Sequence, residues 1–134
     1  MTKYQRIQQF NNIFKSIIND YYLTASLDLK TKMDIIKLEL ENKETIIVLN
    51  NFIKFAVDDI LIHDNIKNKN IKFFLEFTKE DFAKKCGQNN SIIENIFINI
   101  KNIIENAQDK DAIIEQFNNL RKIAIVYKKL RENE

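Results

Sequence analysis

The 134-residue chain contains no proline, no tryptophan, one glycine (Gly87) and one cysteine (Cys86). Proline and glycine form tight turns and hairpins, so their scarcity leaves few ways to connect many short strands. A single cysteine cannot form an internal disulfide, which excludes a secreted scaffold held by disulfides. These absences favour helices joined by polar turns and predict a reducing, cytoplasmic location.

An excess of charge of one sign is also missing, because 21 basic side chains stand against 19 acidic ones and the net charge is +2. This balance is not typical of a nucleic-acid-binding protein. Acidic residues predominate in 31–64 and 86–120, and basic residues in 65–85 and 121–134, so these blocks are predicted to attract one another within a bundle or between subunits.

Long apolar runs are absent too, since none approaches the roughly 18 to 20 residues that a bilayer span needs. The first nine residues are polar and do not resemble a secretion signal, so we expect an intracellular protein without a membrane span. The high content of isoleucine, asparagine and lysine is typical of an A/T-rich genome whatever the fold, and the β-branched excess is therefore weak support for a sheet.

The most apolar stretch runs from Glu44 to His63, with the sequence ETIIVLNNFIKFAVDDILIH. At helical spacing, one of its faces consists of Ile46, Leu49, Ile53, Ala56 and Ile60. Other apolar side chains occupy most of the circumference, which predicts a helix buried on several sides. We therefore predict an all-α fold, a single domain over residues 1–134 with five to seven helices around this central helix.

Periodicity and capping signals predict further helices on either side. Residues 3–22 form the clearest amphipathic pattern, and Ser26 or Asp28 is a candidate N-cap for a second helix. The polar run 64–70 is predicted to be an exposed connection. Ser91 with Glu94 forms a capping box that opens a helix to about Ala107, and Asp109 or Asp111 caps a last helix that extends to about Glu132.

Residues 35–49 allow an alternative fold, α+β. Ile36, Leu38 and Leu40 alternate with charged residues as a half-buried strand does, and pairing with residues 45–49 would form a β-hairpin. We prefer the helical interpretation, because the intervening turn 41–44 lacks glycine and the helical period continues through Ala56. The hairpin stays open as the alternative.

The last helix supplies the predicted interaction surface. Its apolar residues repeat with the four-three spacing of a coiled coil, and basic residues seven apart lie beside that seam. The residues predicted to bind a partner are Ile113, Phe117, Leu120, Arg121, Lys122, Tyr127, Lys128 and Lys129. We predict a non-enzymatic protein–protein interaction module, an adaptor, regulator or assembly subunit that self-associates or docks on a protein partner, without a cofactor.

Specific residues raise three alternatives: a nucleic-acid site, a thiol enzyme and a metal site. The Lys-rich, Phe-rich segment 67–85 is an alternative nucleic-acid site, because lysines can track phosphates while aromatic rings stack on bases. Cys86 with His63 provides a thiol and a base, but no orienting group or oxyanion donor has a signature, so no catalytic residue is predicted. His63 with Asp59 and Asp64 offers too few nitrogen or sulfur ligands for a closed zinc site, and no metal is predicted.

Overall fold

The computed structural model describes residues 2–77, 80, 81, 84 and 100–133, and within them the chain forms helices and no strand. The predicted all-α fold is confirmed. The helices are α1 (Lys3–Tyr21), α2 (Leu27–Leu40), α3 (Ile47–Phe52), a π-helical turn (Ile53–Val57), α4 (Ile60–Lys67), α5 (Ile71–Glu76), α6 (Ile100–Asn106) and α7 (Lys110–Glu132). The Ser91–Glu94 capping box, Cys86 and Gly87 lie outside the described residues.

The first and last helices agree closely with the sequence predictions. Thr2 and Gln5 cap α1 reciprocally through their side chains, and Asp109 caps α7 by accepting the Ala112 N–H at 3.0 Å. The two helices pack along each other, and the last turn of α1 lies beside Asp109 at the start of α7. They therefore run in opposite directions and form the main layer of the bundle.

The predicted helix from Glu44 to His63 is wrong as one continuous element. Helix α3 starts at Ile47 and passes into a π turn, which the Asp58 N–H closes by donating to the Ile53 carbonyl at 2.8 Å. Asp59 is extended, and its carboxylate accepts the Ile62 N–H at 3.1 Å, which starts α4. Acidic side chains compete for nearby backbone donors, so this pair ends one helix and caps the next.

The break also changes which side chains are buried. Leu49, Ile53 and Ala56 lie in the core as predicted, but Ile46 is exposed and Ile60, just beyond the break, is 76% exposed. The apolar segment thus provides two short elements. Helix α3 packs on α1, whereas the π turn and α4 pack on α7.

The alternative hairpin over 35–49 is wrong, because residues 35–40 belong to α2 and residues 47–49 belong to α3. The buried residues of α2 follow helical spacing: Leu29, Met33, Ile36 and Leu40. The intervening turn is fixed by Asn11 of α1, whose amide donates to the carbonyls of Lys43 and Thr45 at 3.3 and 3.0 Å. That turn is therefore held by a side chain and needs no strand pairing.

The predicted connection 64–70 is shorter than expected, since α4 continues through Lys67 and buries Ile66. Lys69, two residues after the end of the helix, has a positive φ of 54°. The Lys69 N–H donates to Ile66, and the Asn70 N–H donates to Asn65, which is the Schellman arrangement. Glycine or asparagine usually takes the left-handed position, and here lysine does.

The core is built from aliphatic side chains around a few aromatic rings. Phe10 of α1 lies at its centre, with ring centroids 6.1 Å from Phe14 and 5.3 Å from Phe52. Phe74 of α5 is fully buried as well. Every α-helix with a described side-chain environment buries at least one apolar residue, so the core spans the whole described bundle.

Candidate interaction surface

The apolar seam predicted to bind a partner is inside the molecule. Ile113, Phe117, Leu120 and Tyr127 are each no more than 3% exposed, and all belong to the core. Helix α7 packs against α1, the π turn, α4, α5 and α6, which cover this seam. Its four-three spacing is therefore explained by intramolecular packing, and the expectation that these side chains form a free edge is corrected.

Arg121 is also buried, at 8% exposure. Its Nε donates to the Asn118 side-chain oxygen at 2.9 Å, and its Nη1 lies 3.3 Å from His63 Nε2 of α4. Burial lowers the pKa of the Arg121 guanidinium. The only histidine thus faces a guanidinium, which can only donate, so His63 Nε2 is the acceptor in this hydrogen bond.

Two ion pairs lie on either side of this contact and join α7 to the α4 region. Lys128 Nζ is 2.7 Å from an Asp58 carboxylate oxygen, and Lys69 pairs with Glu115. The hydrogen bond with Asp58 raises the pKa of Lys128, and the hydrogen bond with Lys69 lowers the pKa of Glu115. Of the four basic residues predicted to bind a partner, Lys122 and Lys129 have exposed side chains.

The Lys-rich, Phe-rich segment 67–85 is only partly described, since Lys79, Phe82 and Lys85 lie outside the described residues. Phe74 is core, and Phe73 and Phe77 are half-buried with their rings stacked 4.9 Å apart. Lys69 pairs with Glu115, and Lys72 lies 3.8 Å from Glu76 on the same helix. In the described part of this segment, the rings and two of the lysines are therefore already engaged in contacts within the protein. A nucleic acid would have to contact these same groups.

The outer face of α2 carries an apolar surface that sequence analysis missed. We call Leu27, Thr31, Ile35 and Leu38 the outer stripe; at 100° per residue they share one face, opposite the buried residues of the same helix. Leu27 is 81% exposed and Leu38 is 66% exposed. Leu23, in the turn before the helix, is 83% exposed. Helix α2 is therefore apolar on two opposite faces.

The charged residues beside the outer stripe are already held in place. Tyr22 lies against α2, with Lys37 Nζ 3.9 Å from its ring centroid and its hydroxyl donating to Asp34 at 3.2 Å. On the other side, Lys32 and Asp28 form an ion pair one turn apart at 2.9 Å. The hydrogen bond with Asp34 raises the pKa of Tyr22. The polar borders of the stripe are therefore ordered by local contacts.

Two adjoining cavities of about 270 and 420 Å³ lie near the junction of α1 and α2, where Tyr21, Thr24 and Asn106 line both. The larger one also contains Asp20 and Asp109. Burial, followed by the charges of these carboxylates, raises the pKa of Tyr21. Their described lining contains no histidine, cysteine or lysine.

Among the residues that the structure describes, no three histidine, cysteine, aspartate or glutamate side chains come together as metal ligands. None of the described helices has both the length and the apolar character to cross a membrane. Cys86, on which the thiol hypothesis depends, lies outside the described residues. A search of known protein families, curated proteins and solved structures finds no match to this chain.

Proposed function

We propose that this protein is a non-enzymatic protein–protein interaction module that docks through the outer stripe of α2. The observation that carries the proposal is the exposure of Leu27 and Leu38 on a helix whose opposite face is already buried. Leucine side chains exposed along one helix face gain free energy when a partner covers them, at roughly 25 cal/mol per Å² of apolar surface. Helix-to-helix and helix-in-groove recognition both use such a row of anchors.

The order around the stripe supports a binding role. The ion pair between Asp28 and Lys32, and the stacking of Lys37 on Tyr22, fix the charged borders before any partner arrives. A surface that is ordered in advance loses less conformational entropy on association. A cytoplasmic location is part of the proposal, since one cysteine and no internal disulfide fit a reducing compartment.

The test compares two surfaces of similar exposure. The double variant Leu27→Glu with Leu38→Glu places carboxylates on the outer stripe, and Ile60→Glu places one at an exposed position of α4. The tagged protein is immobilised and exposed to an extract of cells that express the untagged chain. We expect the unmodified protein and Ile60→Glu to retain the same proteins, and the double variant to retain them at least tenfold less.

A retained protein is then purified and titrated against all three forms, so that the loss is measured as a dissociation constant. Equal binding by the double variant and by Ile60→Glu contradicts the proposal. Circular dichroism of the double variant checks that it keeps its helix content, which we expect because both positions are exposed.

A further inference from the structure

We infer that the partner of the outer stripe is a second copy of this chain, with the two α2 helices side by side and parallel. The inference rests on the proposed function, because it names the occupant of the same surface. A two-fold axis between identical helices brings like apolar residues together, so Leu27 meets Leu27 and Leu38 meets Leu38. Such a pair covers the whole stripe at once.

The charges beside the stripe favour a second copy over a strongly charged partner. At helical spacing they form two borders, and each border contains both signs. The first border consists of Asp28, Lys32 and Glu39, and the second consists of Lys30, Asp34, Lys37 and Glu41. An acidic or basic macromolecule would gain little net attraction from this nearly balanced set, whereas two copies meet with little net repulsion.

The parallel orientation follows from the order of the signs. In a parallel pair, the first border of one copy faces the second border of the other. Each charge of the first border then lies within two residues of an opposite charge on the other copy. The pairs are Asp28 with Lys30, Lys32 with Asp34 and Glu39 with Lys37. Like charges occur at the same spacing for Lys32 with Lys30 and for Glu39 with Glu41, so opposite-charge pairs outnumber like-charge pairs.

An antiparallel pair that covers the same leucines reverses this result. Leu27 then meets Leu38 of the other copy, and each border faces itself. Lys32 lies opposite Lys32, and Asp28 lies opposite Glu39, so the first border is wholly repulsive. On the second border, Lys30 of one copy is near both Asp34 and Lys37 of the other copy. The attraction to Asp34 and the repulsion from Lys37 cancel. Like-charge pairs outnumber opposite-charge pairs, and the parallel arrangement is favoured.

The length of the helix sets the expected strength. Helix α2 has 14 residues, about 21 Å at ~1.5 Å per residue, so a pair of such helices buries less than the ~800 Å² per partner of a standard interface. We therefore expect a weak dimer that dissociates on dilution. Sedimentation equilibrium should show the mass rising from 16.0 kDa towards twice that value with concentration, and Leu27→Glu with Leu38→Glu should keep it at 16.0 kDa.

Disulfide trapping determines the orientation. Cys86→Ser removes the natural thiol, and Leu27→Cys or Leu38→Cys then places one thiol at either end of the stripe. These positions are 11 residues apart, about 16 Å along the helix, whereas a disulfide needs Cα atoms within roughly 7 Å. In a glutathione buffer, Leu27→Cys alone should form a covalent dimer, and a mixture of the two variants should form little mixed dimer. Ile60→Cys in the same background is the exposed control and should stay monomeric.

Three results overturn the inference: a constant mass of 16.0 kDa at millimolar concentration, a dimer that the double glutamate variant preserves, or preferential mixed disulfides between positions 27 and 38. The first shows that no second copy binds, the second places the contact elsewhere, and the third shows an antiparallel pair. The proposed function fails separately, when no retained protein depends on the outer stripe.

Discussion

Helices α7 and α2 have comparable apolar content but differ in what covers it. On α7 the apolar seam is buried by five neighbouring elements. On α2 one apolar face is buried while Leu27, Ile35 and Leu38 on the other face are exposed. Spacing in a sequence thus identifies which residues share a helix face, but it does not show whether the rest of the chain covers that face.

The position of each helix in the bundle explains the difference. Helix α7 has 23 residues and runs opposite to α1, so neighbours surround it along its length. Helix α2 packs chiefly on α1 and buries Leu29, Met33, Ile36 and Leu40. The longest seam in the sequence is thus part of the core, whereas the shorter stripe is exposed.

The largest expected effect is the loss of a ring from the α7 seam. Phe117→Ala should lower the free energy of unfolding by about 3–5 kcal/mol, because it leaves a cavity where a 3%-exposed ring was packed. Leu38→Ala on the outer stripe is the control and should change it by less than about 0.5 kcal/mol at micromolar concentration. Urea denaturation measures both, and equal effects would remove the distinction between the two helices.

A smaller effect is expected from the buried basic residue of α7. Arg121→Ala should cost about 2 kcal/mol of unfolding free energy, since Asn118 and His63 lose their charged hydrogen-bond donor. Lys129→Ala, on the exposed side of the same helix, should change stability by less than about 0.5 kcal/mol. Thermal or urea unfolding of both variants provides the comparison. If the two variants were equally stable, Arg121 would not act as a core residue.

The smallest effect concerns the ion pair at the end of α4. Lys69 lowers the pKa of Glu115 below its ordinary value of 4.5, so the folded state binds a proton less readily than the unfolded chain. The stabilisation from this pair is complete above pH 4.5 and is lost as the pH falls through the lowered pKa. An NMR titration of Glu115 should show a higher midpoint in Lys69→Asn, which keeps a residue that tolerates positive φ. An unchanged midpoint would contradict the pairing.

Much of the fold was predictable because local chemistry agrees with the tertiary structure. The period of α1 and the Asp109 cap of α7 identified both helices. The break after Val57 was missed, although Asp58 and Asp59 before an apolar run form a recognisable capping signal. The burial of Arg121 could not be predicted, because it depends on where His63 lies in a distant helix.

The candidate surface was less predictable for a related reason. Leu27, Ile35 and Leu38 are visible in the sequence, but alternation around Leu38 suggested a half-buried strand. A helix with two apolar faces weakens its own periodic signal, since apolar residues then occur at most angles. Only the packing of α2 on α1 shows which of the two faces is covered.

The π turn at Ile53–Val57 indicates where the chain can lose one residue without disturbing the fold. A π turn contains one residue more than an α turn, as the Asp58 N–H bonded to the Ile53 carbonyl shows. Removing one residue there would restore ordinary α geometry and leave the α4 cap at Asp59 intact. A deletion within α7 would instead rotate every later side chain by about 100° and move its seam out of the core. We therefore expect natural variants that are one residue shorter to lack a residue within 53–57.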